Sequence, residues 1–246
     1  MPEPSAKKPT LPARCRLVLS CEHGGNQIPA EFRSLFKNAT EALKSHRGYD
    51  PGALELARRF AKHFKVPLTF ETRSRLLIEL NRTIGHPRVF SEFSRELFAE
   101  VQQRLIDEIY DPYRERVISE IQQQVIAGPV VHVSVHSFTP VMNGKTRRTD
   151  IGLLFDPKRE RESRFCSQWK AAIKQLRPDL AVYFNLPYRG TSDGFTTALR
   201  KQFPDQQYAG IELEVNQKFP LADGEDWKQL QKQLTYSLQA ALDSVQ

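Results

Sequence analysis

Residues 17–29 read LVLSCEHGGNQIP, and this stretch decides the fold class. It begins with an apolar run the length of a buried strand, which stops abruptly at Glu22-His23-Gly24-Gly25. In an α/β sheet, side chains at the carboxyl end of a strand face the crevice where ligands bind. His23 therefore stands where a functional group belongs. The two glycines remove bulk and permit positive φ, so the backbone is expected to turn tightly beside the histidine. A second strand-like run, Val130–Val135, ends the same way, in His136-Ser137-Phe138-Thr139-Pro140. Two strands that each deliver a histidine at their exit point to a metal or acid–base site assembled from distant segments.

Outward from these runs, further strands are expected at Arg16–Ser20, Leu68–Phe70, Leu76–Leu80, Ile151–Leu154, Ala181–Asn185 and Gly210–Val215. Helical patterns lie between them. Asp50-Pro51-Gly52 opens a segment with Ala53, Leu56, Ala57 and Phe60 on one face. A long helical pattern runs from Phe93 to Ala127, and Asp111-Pro112 is expected to split it into two helices. Arg161–Leu176 and Asp226–Leu242 read as two more amphipathic helices. Strands alternating with helices imply an α/β fold, a mostly parallel sheet covered on both faces.

Composition narrows the function class. With 39% hydrophobic and 26% charged residues the chain reads as a soluble globular protein. No apolar run approaches the roughly 20 residues needed to cross a bilayer, so no membrane role is expected. Residues 1–13, proline-rich and basic, read as a flexible leader, and residues 14–246 as a single domain. Cys15, Cys21 and Cys166 lack metal or disulfide spacing and suit a reduced, cytoplasmic setting. Cys21, beside Glu22, can serve as ligand or nucleophile, although a cysteine in an apolar strand usually packs. The net charge of +7 is scattered, with Lys145–Arg148 the densest cluster beyond the leader. No nucleic-acid module accompanies it, so a small anionic substrate is the expected partner rather than nucleic acid.

Several residues can carry chemistry. Either histidine alone would suit a packed core; together they favour an open zinc site of two imidazoles, one carboxylate and a water. The carboxylate has to come from Glu22, Asp50 or a more distant acid, although Asp50 also sits where a helix N-cap belongs. Leu76–Arg82 (LLIELNR) ends an apolar run in polar groups. Arg82 offers a fork for a substrate carboxylate and Asn81 an added hydrogen bond. Glu79, inside that run, needs a partner such as an arginine or the metal. In Ile211–Asn216 (IELEVN) the alternation puts Glu212 and Glu214 on one face. If that face is directed at the site, one of them can take a proton from water and return it to a leaving amine. Asn185–Gly190 (NLPYRG) is a turn-rich loop whose Tyr188 and Arg189 can close over a substrate.

In order along the chain, SCEHGGNQIP, YDPGA, LLIELNR, VHSFTP, DIGLLFDP, NLPYRG and GIELEVNQ resemble the N-formylglutamate amidohydrolase family from about Leu17 to Phe219. The resemblance implies a three-layer α/β/α sandwich on a mixed sheet, similar to zinc carboxypeptidases and aspartoacylase. It implies one zinc ion and hydrolysis of a small N-acyl acidic amino acid, N-formylglutamate foremost, to formate and glutamate. By motif, His23 and His136 would be zinc ligands and Glu214 the general base. Asn81, Arg82, Tyr188 and Glu212 would contact substrate, with Arg189 or Lys145 meeting a second carboxylate and Arg189 also suited to the oxyanion. The carboxypeptidases carry His-x-x-Glu, whereas this chain has Asn26 three residues after His23. Asp50 is then the expected third ligand, with Glu22 in reserve. Alternatives are a metallo-carboxypeptidase or amidase acting on a peptide or cell-wall fragment, and a non-catalytic acyl-amino-acid-binding protein.

Overall fold

The computed structural model describes residues 15–222 and 224–245, so the expected leader lies outside the described residues. Among the described residues the strands are β1 (Arg16–Cys21), β2 (Leu68–Phe70), β3 (Val130–Phe138), β4 (Val141–Met142), β5 (Lys145–Thr146), β6 (Ile151–Leu154), β7 (Val182–Phe184) and β8 (Tyr208–Asn216). The helices are α1 (Thr40–Lys44), α2 (Ala53–Phe64), α3 (Ala99–Leu105), α4 (Asp111–Ala127), α5 (Glu160–Leu176), α6 (Phe195–Gln202), α7 (Lys218–Leu221) and α8 (Glu225–Ser244).

Six strands make one sheet in the order β2-β1-β3-β8-β6-β7. The first four are parallel, β6 runs antiparallel to β8, and β7 is parallel to β6. β4 and β5 form a small separate hairpin. The central strands β3 and β8 are buried along nearly their whole length. Because side chains alternate across a strand, each face collects its own core. Leu17, Leu19, Val131, Val133, Ile211 and Leu213 pack with α2, α5 and α8, centred on Phe60, Trp169 and Leu234. Val18, Val130 and Tyr208 pack on the opposite face with α4 and α6, centred on Tyr113, Ile121 and Phe195. The result is a three-layer α/β/α sandwich on a mixed, mostly parallel sheet. Among the described residues no helix is long and apolar enough to cross a membrane.

The structure departs from the sequence reading at several elements. Leu76–Leu80 is not a strand but a buried irregular segment. Its backbone groups are paired elsewhere: Ser94 Oγ and Ser91 Oγ donate to the Leu76 carbonyl, Arg114 donates to that of Leu80, and the Glu79 amide donates to the Val89 carbonyl. An apolar run signals burial, and here side chains substitute for the ladder. The helical run is divided at Asp111-Pro112 as expected, though not by an open break. A π-helical turn, Ile106–Tyr110, joins α3 to α4, and Pro112 falls in the first turn of α4. Residues 93–98 precede the helix instead of belonging to it. Asp193-Gly194 leads from the Asn185–Gly190 loop into α6, which buries Phe195, Thr196 and Leu199.

Asn185–Gly190 lies flat against β6. Asn185, at φ 53°, accepts hydrogen bonds through Oδ1 from the amides of Phe155 and Gly190. Gly152 in β6 makes this approach possible, since a Cβ there would stand 2.1 Å from the Leu186 carbonyl oxygen. Gly152→Ala is therefore expected to push the loop off the sheet and cost about 1–3 kcal/mol of stability. Chemical denaturation checks this, and an unchanged midpoint would contradict the packing described.

Candidate active site

Elementary backbone contacts bring the pieces together. The Asp50 amide donates to the His23 carbonyl (2.9 Å). The Gly24 amide donates to the carbonyl of Glu71, and the Gln27 amide to that of Thr72 (2.9 Å each). The reason for the glycine pair is close approach rather than positive φ, which neither residue adopts. A Cβ on Gly25 would lie 2.4 Å from the Thr72 carbonyl oxygen. The helix start after Asp50 is capped by Gly52, in the left-handed region, and the Asp50 carboxylate caps nothing.

That carboxylate lies between two imidazoles. Asp50 Oδ2 is 3.2 Å from His23 Nδ1 and 2.9 Å from His136 Nδ1. All three residues are buried, and their ligand atoms fall within 4.8 Å of one another. The far side of each ring is also fixed. His23 Nε2 meets Glu79 Oε1 at 2.5 Å. His136 Nε2 meets Ser134 Oγ at 2.8 Å and Glu22 Oε2 at 3.1 Å, and Ser134 Oγ donates to the same carboxylate. Ionised carboxylates only accept, so both Nε2 atoms carry protons and both Nδ1 atoms turn toward Asp50. The Asp50 oxygen and the two Nδ1 atoms thus converge in a buried space, where a ring proton bridges His136 to the carboxylate and a cation would take the place of such protons. Imidazoles backed by carboxylates are the usual surroundings of metal-bound histidine. The donor set therefore fits a divalent ion.

The charges respond accordingly. Burial opposes ionisation of Glu22, Asp50 and Glu79, yet the histidines around the first two and Arg75 and His23 around Glu79 hold all three well below the usual carboxylate range. Burial likewise opposes protonation of His136, but Asp50 and Glu22 raise it well above its ordinary value. Arg75 is shared: Nε donates to Glu79 Oε2 at 2.7 Å and Nη1 to Asp50 Oδ1 at 3.2 Å.

Glu214 behaves differently. In the parallel register it stands beside His136, its Oε2 has no hydrogen-bond partner, and burial pushes its pKa up to about 8, helped by Asp50 and Glu212. Glu212 and Glu214 share one face and both line a pocket of about 550 Å³ that also contains His23, Asp50 and His136. Asn81, Arg82, Tyr188 and Arg189 line it too. Asn81 Oδ1 accepts from the Phe195 amide, and Arg82 Nη1 donates to the carbonyls of Asn81 and Asp193.

Other expected residues lie elsewhere. Glu22 is on the far side of His136 from Asp50, tied to Tyr113 and Ser134, so it is not part of the donor cluster. Lys145 is exposed on β5 and is not among the residues lining the pocket. Cys21 points into the apolar core. Arg75, Tyr113, Ser134 and Arg114 went unread in sequence. The i to i+4 spacing of Arg75 and Glu79, and the shared strand face of Ser134 and His136, were the available signals. Arg114 stacks over Phe195 at 4.2 Å and holds the Leu80 carbonyl, steadying Asn81 from α4. Beneath the site, His132 is bonded on both sides, to Ser20 Oγ at 2.8 Å and Tyr208 OH at 2.9 Å, and burial lowers its pKa to about 4.

The family that the sequence matches makes this an enzyme of the amidohydrolase class. The chain belongs to the N-formylglutamate amidohydrolase family, whose sequence model matches residues 15–220. No curated protein gives a significant match. Among solved structures, a gene product of Agrobacterium tumefaciens is similar at 27% identity and a TM-score of 0.81, over 95% of this chain and 92% of that one. An N-formylglutamate amidohydrolase from Ralstonia eutropha is similar at 18% identity and a TM-score of 0.63, over 94% and 95% of the two chains, a likeness of fold.

The raised Glu214 pKa has a definite sign in stability. Folding favours its neutral form, so its contribution is complete below the ordinary value of 4.5 and is lost as pH rises toward about 8. In metal-free protein, Glu214→Gln should therefore gain stability relative to wild type across that interval. Thermal melts of both proteins at several pH values test this; a pH-independent difference would contradict it.

Proposed function

We propose that this chain hydrolyses the amide of N-formylglutamate, releasing formate and glutamate, with a zinc ion held by His23, Asp50 and His136. The observation that carries the reading is the convergence of these three donors beside an unpartnered, buried Glu214. A zinc ion bound there would supply Lewis acidity and an activated water.

The remaining work falls to side chains of the chain itself. Arg82, whose contacts are to carbonyls only, can bind the substrate α-carboxylate with its outer edge. The Asn81 oxygen is occupied by the Phe195 amide, so its NH₂ group is left to donate to the same carboxylate. Arg189 and Tyr188, on the loop pressed against β6, face the side-chain carboxylate, and Arg189 also suits the developing oxyanion. Glu212, fixed by Thr196 Oγ1 at 2.8 Å, forms the wall next to Glu214 and serves as a substrate contact. Glu214 takes the proton from the attacking water and delivers it to the departing amine; a carboxyl tuned near neutrality suits both transfers. Free cysteines, two of them buried, agree with a cytoplasmic enzyme.

Formate release from N-formylglutamate by the zinc-loaded protein tests the activity directly, and its absence would refute the substrate. Glu214→Gln should lower kcat by about 10²–10⁴-fold while elemental analysis still finds metal. Asp50→Ala and His136→Ala should lose the metal itself. Arg82→Lys removes the bidentate fork and should raise KM about tenfold with little change in kcat.

A further inference from the structure

We propose that the preferred substrate carries a third carboxylate, beyond the two of an N-formylated glutamate, and that Arg88 receives it. This rests on the reading of the pocket as an N-acyl amino acid hydrolase and names its substrate class more closely. Six arginines line the pocket. Arg75 is committed to Asp50 and Glu79, Arg47 to Glu92, and Arg95 to Glu96. Arg82, Arg88 and Arg189 have no carboxylate partner among the described residues. The nearby Asp193 carboxylate is taken by the Thr83 amide and hydroxyl, at 3.0 and 2.6 Å. Three uncommitted guanidinium groups surround one cavity, and formylglutamate would use two of them.

The position of Arg88 is set by the centre itself. The Arg88 amide donates to His86 Nδ1 at 3.1 Å, and the Val89 amide to the His86 carbonyl. The Val89 carbonyl in turn accepts from the amide of Glu79, the residue that backs His23. Arg88 is thus mounted on a turn bonded directly to the floor of the pocket. Beside it, Leu76, Pro87 and Phe90 give that wall an apolar surface suited to a methylene linker. Size agrees: about 550 Å³ matches cavities that hold drug-sized ligands, whereas formylglutamate has only about a dozen non-hydrogen atoms. The reaction is unchanged: water adds across the C–N bond, the acyl group leaves as a carboxylic acid and the amine takes the proton.

The third carboxylate can enter on either side of the scissile amide, and two probes separate these cases. The zinc-loaded full-length enzyme is assayed with N-formylglutamate, N-formyl-γ-glutamylglutamate and N-succinylglutamate. One three-carboxylate compound should exceed N-formylglutamate in kcat/KM by about tenfold, equivalent to one added charged contact. Arg88→Ala should erase that preference, Arg88→Lys should keep part of it, and raised salt should weaken it. If N-formylglutamate is turned over as well as both larger compounds, or the preference survives Arg88→Ala, the inference fails while the proposed function stands. If none of the three is hydrolysed, both fall.

Discussion

Everything at this site depends on one electrostatic constraint. Asp50 Oδ2 and the two Nδ1 atoms of His23 and His136 meet in a buried space where none can donate to another without a proton or cation between them. The surrounding groups hold this arrangement in place. Glu79 and Glu22 fix the outer nitrogens, Arg75 ties the Asp50 and Glu79 carboxylates together, and Tyr113 and Ser134 satisfy Glu22. Each partner removes a rotational freedom from the ring or carboxylate it touches, so the three donor atoms are held in fixed orientation. Such rigidity suits a centre that has to polarise a substrate without reorganising.

The sheet explains why these residues meet. Four parallel strands present their carboxyl ends together, and three of them supply the key groups: His23 just past β1, His136 in β3 and Glu214 in β8. Parallel register sets His136 directly beside Glu214. Neighbours with opposite roles result, one ring immobilised by carboxylates and one carboxyl left without a bond. The antiparallel β6 contributes differently, by carrying the glycine that lets the Tyr188–Arg189 loop lie close to the pocket.

Much of this was legible in the residues. Strands followed by EHGG, HSFTP and alternating IELEV gave the sheet, its exits and the shared face of Glu212 and Glu214. Asp50 could not be separated from Glu22 by local pattern, because both stand next to the apt turn. What separates them is the fold of the chain between His23 and Asp50, which turns the Asp50 carboxylate inward and leaves Glu22 facing Tyr113. Leu76–Leu80 has the pattern of a strand without being one, because hydrophobicity reports burial and not the source of the backbone hydrogen bonds. Arg75 and Arg114 were missed because an arginine's reach spans several residues and its partner is chosen in three dimensions.

The Ser20–His132–Tyr208 chain has a consequence for the sheet below the pocket. Both nitrogens of His132 are engaged and the ring stays neutral down to about pH 4. His132 therefore adds no charge of its own to the strand face it shares with Ser134 and His136. This layer accordingly closes its polar valences among its own groups: a ring locked from both ends contributes shape to the sheet and no ionisation in the neutral range.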